Sequence, residues 1–241
     1  MGLEFILRWL SIVVLDLTLG GDNAVVIALA VRKLPSKQQR LGILWGTLGA
    51  VVLRVAVTFV AAKILSIPFF QAAGGLLLVY IALKLLRQEA PAEESNVKGS
   101  ANLLEAIKII VIADFIMSTD NILAVAAASH GSFFLLLFGL GLSIPIIMAG
   151  ATFIAMLMGK YPWLVQLGAG ILGWVSGEML VKDPLIHSRI APYYSVLKYA
   201  VPLALVAGIL AVGWLLNRRA AAKEASKKEN KEVVIPEQET V

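Results

Sequence analysis

Two short stretches carry the residues able to do chemistry. Asp16-Leu17-Thr18-Leu19-Gly20-Gly21-Asp22-Asn23 sets two carboxylates and a carboxamide inside a run that is otherwise apolar. Asp114-Phe115-Ile116-Met117-Ser118-Thr119-Asp120-Asn121 repeats the pattern: an Asp, five residues, then Asp-Asn. Acids in apolar runs are costly, about 2.5–3.5 kcal/mol each on insertion scales, and are functional by default. Brought face to face, Asp16, Asp22, Asn23, Asp114, Asp120 and Asn121 would form one oxygen-lined cation site. Such a donor set suits Mn2+, Ca2+ or Mg2+ and argues against Cu or Zn. The chain has no Cys, and its two histidines, His130 and His187, lie outside the apolar runs.

Four carboxylates in one place repel one another. A bound dication, shared protons or Arg54, in the middle of the second apolar run, could neutralise them. Arg54 is expected to pair with a motif acid, as a charge-balancing or gating group. Met117 offers a thioether one turn before Asp120, which would favour Mn2+ if it were a ligand; as a flexible apolar side chain it also suits a core. The plainer reading of the acids is hydrogen bonding between helices, for which a single polar pair would suffice.

Helix geometry constrains the site. At 3.6 residues per turn, Asp16 and Asn23 share a face, as do Asp114 and Asn121, while Asp22 and Asp120 point elsewhere. Convergence needs a local break. Gly20-Gly21 supplies one cheaply, and Ser118-Thr119 is expected to serve the second copy, its hydroxyls satisfying freed backbone groups.

The elements that must hold these residues are membrane spans. The chain is 59% hydrophobic and 15% charged, against about 45–50% and about 25% for an ordinary soluble domain. Apolar runs near the ~20 residues that cross a bilayer occur at 5–31, 41–62, 67–86, 103–128, 133–158, 162–181 and 194–216. The fold class expected is therefore an all-α polytopic membrane protein with seven transmembrane helices. The opening residues lack the basic start and small-residue cleavage site of a signal peptide, so the first span is expected to be retained. The basic residues fall in loops and the tail, which points away from nucleic acid.

The two halves resemble each other. The motifs start 98 residues apart, and Pro68-Phe69-Phe70-Gln71 before Gly74-Gly75 resembles Pro162-Trp163-Leu164-Val165-Gln166 before Gly168 and Gly170. Residues 5–86 and 103–181 then form a 3+3 inverted repeat, joined by a polar linker at 87–102 and followed by a C-terminal seventh helix. Three spans per copy force the second copy to enter from the other face, with cargo bound near the midplane. Residues 1–216 form this domain, and 217–241 a charged, solvated tail with room for some helix. The Lys/Arg excess at Arg32, Lys33, Lys37, Arg40, Arg87, Lys98, Lys160, Arg218 and Arg219 places the N-terminus outside and the tail in the cytoplasm.

The paired Asp-x5-Asp-Asn motifs resemble those of the TerC-type integral membrane proteins, in the YjbE/YkoY branch. Leu53-Arg54, Ser143-Ile144-Pro145 and Gly177-Glu178-Met179 extend the match, which covers roughly residues 5–216. The resemblance implies a seven-span plasma-membrane protein of metal-ion homeostasis, chiefly exporting Mn2+ from the cytoplasm, with the six motif residues as ligands.

The leading expectation is thus a divalent-cation transporter working by alternating access, with Mn2+ as substrate and no enzymatic role. A membrane scaffold delivering metal to exported proteins is a second reading. An intramembrane aspartyl protease is a third, weakened because Leu19-Gly20-Gly21-Asp22 lacks the first glycine of Gly-x-Gly-Asp. Glu178, near the outer end of the sixth span, is a candidate secondary ion site or a snorkelling charge. Beyond the metal ion and the lipid bilayer, the sequence leaves room for a homodimer or a membrane-protein partner.

Overall fold

The computed structural model describes residues 2–58, 60, 64, 67–87, 102–129 and 132–233. Among these, every regular element is helical: α1 (Gly2–Leu19), α2 (Gly21–Val31), α3 (Ser36–Thr58), α4 (Phe70–Arg87), α5 (Leu103–Ser129), α6 (Phe133–Lys160), α7 (Trp163–Lys182), α8 (Pro184–Ile190), a 3-10 turn (Ala191–Tyr193) and α9 (Tyr194–Val233). The linker expected at 87–102 falls almost wholly outside the described residues.

Among the described residues, four helical runs are long and apolar enough to cross a bilayer: Ser36–Thr58, Leu137–Lys160, Trp163–Lys182 and Pro184–Leu215. The bent pair α1/α2 makes a fifth. The Phe70–Leu86 stretch of α4 is apolar but shorter, and α5 is long but carries Glu105, Lys108, Asp114 and Asp120. The protein is a multi-pass helical membrane protein with four or five clear spans.

The packing is inside-out relative to a soluble domain. Val52, Phe134, Phe153, Met156, Val196 and Leu203 lie exposed on the outer surface, whereas Asp16, Asn23, Arg54, Asp114, Ser118, Thr119 and Ser143 are buried. Apolar exteriors cost nothing in lipid, and interior polar groups find partners there. Two groups of helices make the body. In one, α3 lies along α5, and α1 and α2 lie along α6; in the other, α7 is flanked by α4 and α9. Ile12, Leu29, Leu78, Ile110, Leu140 and Leu172 are fully buried between them.

Three details add to the sequence-based expectation. The connection after α7 is helical, because Asp183 caps α8 by accepting the Leu185 N–H at 3.1 Å and Pro184 sits at the first helical position, where its missing N–H is not needed. The second oxygen of the buried Asp183 accepts the Ala72 N–H at 3.3 Å, tying α4 to this corner. The tail begins as helix: α9 continues to Val233 because its Ala, Lys and Glu residues are strong helix formers. Lys84 of α4 pairs with Glu105 of α5 at 2.6 Å.

The seam between α7 and α9 depends on Gly177. A Cβ there would lie 2.3 Å from the Pro202 Cα, a backbone atom that cannot swing aside. Gly177→Ala is expected to cost about 1–3 kcal/mol by overpacking. Gly208→Ala on α9 meets open space, and is expected to be neutral or stabilising by about 0.4–1 kcal/mol. Unfolding of the detergent-solubilised variants measures both.

Candidate metal centre

The centre starts at a break in the first apolar run. Gly20 takes φ −113°, ψ 12°. Its N–H donates to the Asp16 carbonyl at 2.8 Å, and its own carbonyl accepts the Asn23 N–H at 3.1 Å. The helices on either side are bent by 53°. A Cβ at residue 20 would sit 2.7 Å from the Asp16 carbonyl oxygen and 3.2 Å from Asn23 Nδ2; only glycine lets the chain come this close. Restarting the helix at Gly21 puts Asp22 in the first turn of α2, where the positive end of the helix favours a carboxylate.

Around the break, α3, α5 and α6 each deliver a polar side chain. Arg54 of α3 is the hub. Its Nη1 pairs with Asp16 Oδ1, and its Nη2 donates to Asp114 Oδ1 at 2.7 Å and to Ser118 Oγ at 2.6 Å. Ser143 of α6 donates to Asp16 Oδ2. Asn23 Nδ2 donates to Asp114 Oδ1 at 2.8 Å. Only 2–8% of the surface of Asp16, Asn23, Arg54 and Asp114 is exposed. Removing one member of such a buried charge pair typically costs about 3–5 kcal/mol, because the other is left uncompensated.

The hydrogen bonding of these groups is incomplete. Asp22 Oδ1, Asn23 Oδ1 and Asp114 Oδ2 are buried with no hydrogen-bond partner in the protein, as is Arg54 Nε. Buried polar atoms are almost always satisfied, and each exception asks for an explanation such as an ion. Asp22 directly precedes Asn23 in the first turn of α2. Among the described residues no three His, Cys, Asp or Glu side chains gather as a metal-holding group. The three unpartnered oxygens belong to two carboxylates and one carboxamide.

The structure thus brings Asp16, Asn23, Asp114 and Arg54 into direct contact, with Asp22 beside them. The side chain of Asp120 lies outside the described residues, and Asn121 is half-buried. The break expected at Ser118-Thr119 does not occur. α5 runs unbroken through it, since Thr119 Oγ1 donates to the Phe115 carbonyl at 2.7 Å and neither residue is a glycine that would free the backbone. Met117 is buried in the main apolar cluster with Ile116 and Met179. Glu178 lies apart from this centre: its oxygens accept from Trp174 Nε1 at 2.8 Å and Lys182 Nζ at 2.7 Å on its own helix. Ser118 and Ser143 are the members that spacing alone missed. A hydroxyl inside an apolar run was the available signal, weak because such hydroxyls usually bond their own helix.

Comparison with known proteins adds the family. Residues 1–221 match the integral membrane protein TerC family. The chain belongs to this family. It is 42% identical over 207 residues to the uncharacterized membrane protein YjbE of Bacillus subtilis, covering 86% of this chain and 94% of that one. It is 26% identical over 248 residues to the uncharacterized membrane protein YkoY of the same organism, covering 92% of this chain and 76% of the relative. The inner membrane protein YgdQ of Escherichia coli is 26% identical over 199 residues, covering 74% and 83%. No solved structure matches.

The geometry of this TerC-family chain separates two buried serines. Ser143→Ala leaves Asp16 Oδ2 without its donor and is expected to cost about 1–3 kcal/mol. Ser176 bonds only the Leu172 carbonyl of its own helix, at 2.6 Å; Ser176→Ala is expected to stay within about 0.5 kcal/mol of the parent. Denaturation midpoints in detergent compare them.

Proposed function

We propose that the protein is a divalent metal-ion transporter and that its cargo site is the unsatisfied part of the buried charge centre. The observation that carries this reading is the set of three buried, unpartnered oxygens, Asp22 Oδ1, Asn23 Oδ1 and Asp114 Oδ2, beside a helix break. Hard oxygen donors without sulfur or imidazole suit Mn2+, Mg2+ or Ca2+. Mn2+ heads that set because of the TerC resemblance, not because of Met117. Asp120 and Asn121 sit at the matching positions of the second motif and are proposed to join the site during transport.

The arrangement of helices supports a carrier built from an inverted repeat. A two-fold relation would exchange the first span with the fourth, the second with the fifth and the third with the sixth. Under it, the α3–α5 contact maps onto the contact of α1 and α2 with α6, and α4–α7 maps onto itself; these are among the principal helix contacts. One copy is broken and the other continuous. Exchange of these two shapes between the copies would carry the site from one face to the other. On this reading the chain crosses seven times, with α9 last and the N-terminus outside, and Mn2+ leaves the cytoplasm.

Reconstitution into liposomes separates transport from the scaffold reading. The parent is expected to move Mn2+ down its gradient, and Asp22→Asn and Asp114→Asn to reduce that flux to the level of empty liposomes. Full flux in either correctly folded variant would falsify the site. A parent that binds Mn2+ but never moves it would leave only the delivery role.

A further inference from the structure

We infer that the protein binds one anionic phospholipid, with an acyl chain laid in a groove between α7 and α9 and the headgroup held by Lys160 and Arg218. The groove arises from how the two helices cross. They touch at one end: a Cβ on Gly177 would lie 2.3 Å from the Pro202 Cα, and one on Gly173 would lie 3.2 Å from the Val206 Cα. About one turn further, at Gly170, a Cβ would meet the Val206 Cγ1 at 3.7 Å, an ordinary contact. From Gly177 toward Gly170 the helices therefore part. Leu86 of α4 closes the back of the cleft, lying so close to Gly213 of α9 that a Cβ there would be 2.9 Å from it. The space left is about 730 Å³, within the roughly 300–1,000 Å³ of ligand sites. The binding site is separate from the charge centre: Asp16, Asp22, Asp114 and Arg54 do not line it.

Length and chemistry both suit a lipid. The lining is mainly apolar, with Trp163, Trp174 and Trp214 in it and Gln166 as a polar amide. The indole N–H of Trp174 is already satisfied by Glu178, at 2.8 Å, which leaves an apolar ring for the cleft. From Trp163 to Trp174 the groove follows α7 for about 16 Å at 1.5 Å per residue. One leaflet of a hydrocarbon core ~30 Å thick is about 15 Å deep, which is the depth an acyl chain fills. A groove of this volume and length is on average narrower than an α-helix, about 10–12 Å across with its side chains, so a span of a second copy fits it less well. An empty cleft would forfeit the dispersion contacts of its walls.

Cations mark the open end. Arg218 lies over the Trp214 ring at 5.2 Å, and Lys160, just before Trp163, lies over the Tyr161 ring at 5.5 Å. Both are exposed. α7 has no Asp or Glu before Glu178, and α9 has none before Glu224, so no nearby acid of these helices competes with a lipid phosphate. Basic residues at the ends of spans attract anionic headgroups. The tryptophans at this end, Trp163 and Trp214, belong at the headgroup level, where an amphipathic ring is at home.

The test reads tryptophan quenching in the full-length chain, with Trp9→Phe and Trp45→Phe leaving Trp163, Trp174 and Trp214 as reporters. This reporter chain is placed in phosphatidylcholine bilayers that contain a minor fraction of acyl-brominated phosphatidylglycerol, or the same fraction of acyl-brominated phosphatidylcholine. The phosphatidylglycerol is expected to quench at least twofold more strongly. Gly170→Leu fills the groove and keeps every charge; it should bring the two lipids level. Lys160→Gln with Arg218→Gln keeps the groove and should do the same.

Equal quenching of the reporter chain by the two lipids overturns the inference. So does a folded Gly170→Leu chain that keeps the preference, since basic span ends alone would then explain it, and so does a preference that survives loss of both cations. If Gly170→Leu does not fold, Leu210→Phe, on the exposed wall of the groove, decides in its place. Reporters shielded from both lipids in a chain that runs as a dimer give the groove to a second copy and equally overturn the lipid assignment.

Discussion

A guanidinium held between two carboxylates, out of reach of water, is the interaction around which this protein is arranged. Taking three charged groups from water into a low-dielectric interior costs several kcal/mol per ion before any attraction is counted. The cost is offset only if each donor and acceptor is aimed well. Here Asp16 comes from α1, Arg54 from α3, Asp114 and Ser118 from α5, and Ser143 from α6. Four helices must therefore meet in one register. Their apolar contacts could tolerate small slides; the charge cluster could not.

That demand explains the local chemistry of the backbone. An unbroken first helix would point Asp22 away from Asn23's partner, Asp114. The bend at Gly20 re-aims the start of α2 and lets Asn23 reach across to α5 at 2.8 Å. The price is paid in glycine, whose flexibility costs about 0.5–1 kcal/mol in a helix. Membranes soften this cost, since the alternative for an unaided carboxylate in hydrocarbon is worse. The exterior needs no such care: large apolar side chains such as Val52 and Phe134 face outward and simply meet lipid.

Much of this was legible in the residues. Hydropathy located most helix ends to within a few residues, the far end of α9 excepted, because apolar length is set by bilayer thickness. The Gly20-Gly21 break was readable, since two glycines between acids in a span have few other uses. The pairing of Arg54 with motif acids followed from the expense of a lone charge. What was not legible came from three-dimensional competition. Ser118-Thr119 looked like a second break, yet hydroxyls can bond a carbonyl of their own helix and leave it intact, and Thr119 does so. Ser143 could not be assigned to Asp16, because a separation of 127 residues leaves no local trace. The pairing of Lys84 with Glu105, on different helices, left no local trace either. How far α9 runs into the tail was not fixed, because charged, alanine-rich sequence reads as solvated whether or not it is helical.

Asp183 has a consequence of another kind. Its two oxygens have the Leu185 and Ala72 backbone N–H groups as partners, one at the corner after α7 and one at the start of α4. A fully buried anion cannot give up either partner cheaply. The rims of these two helices are therefore riveted together, and neither can slide along the other without tearing that rivet.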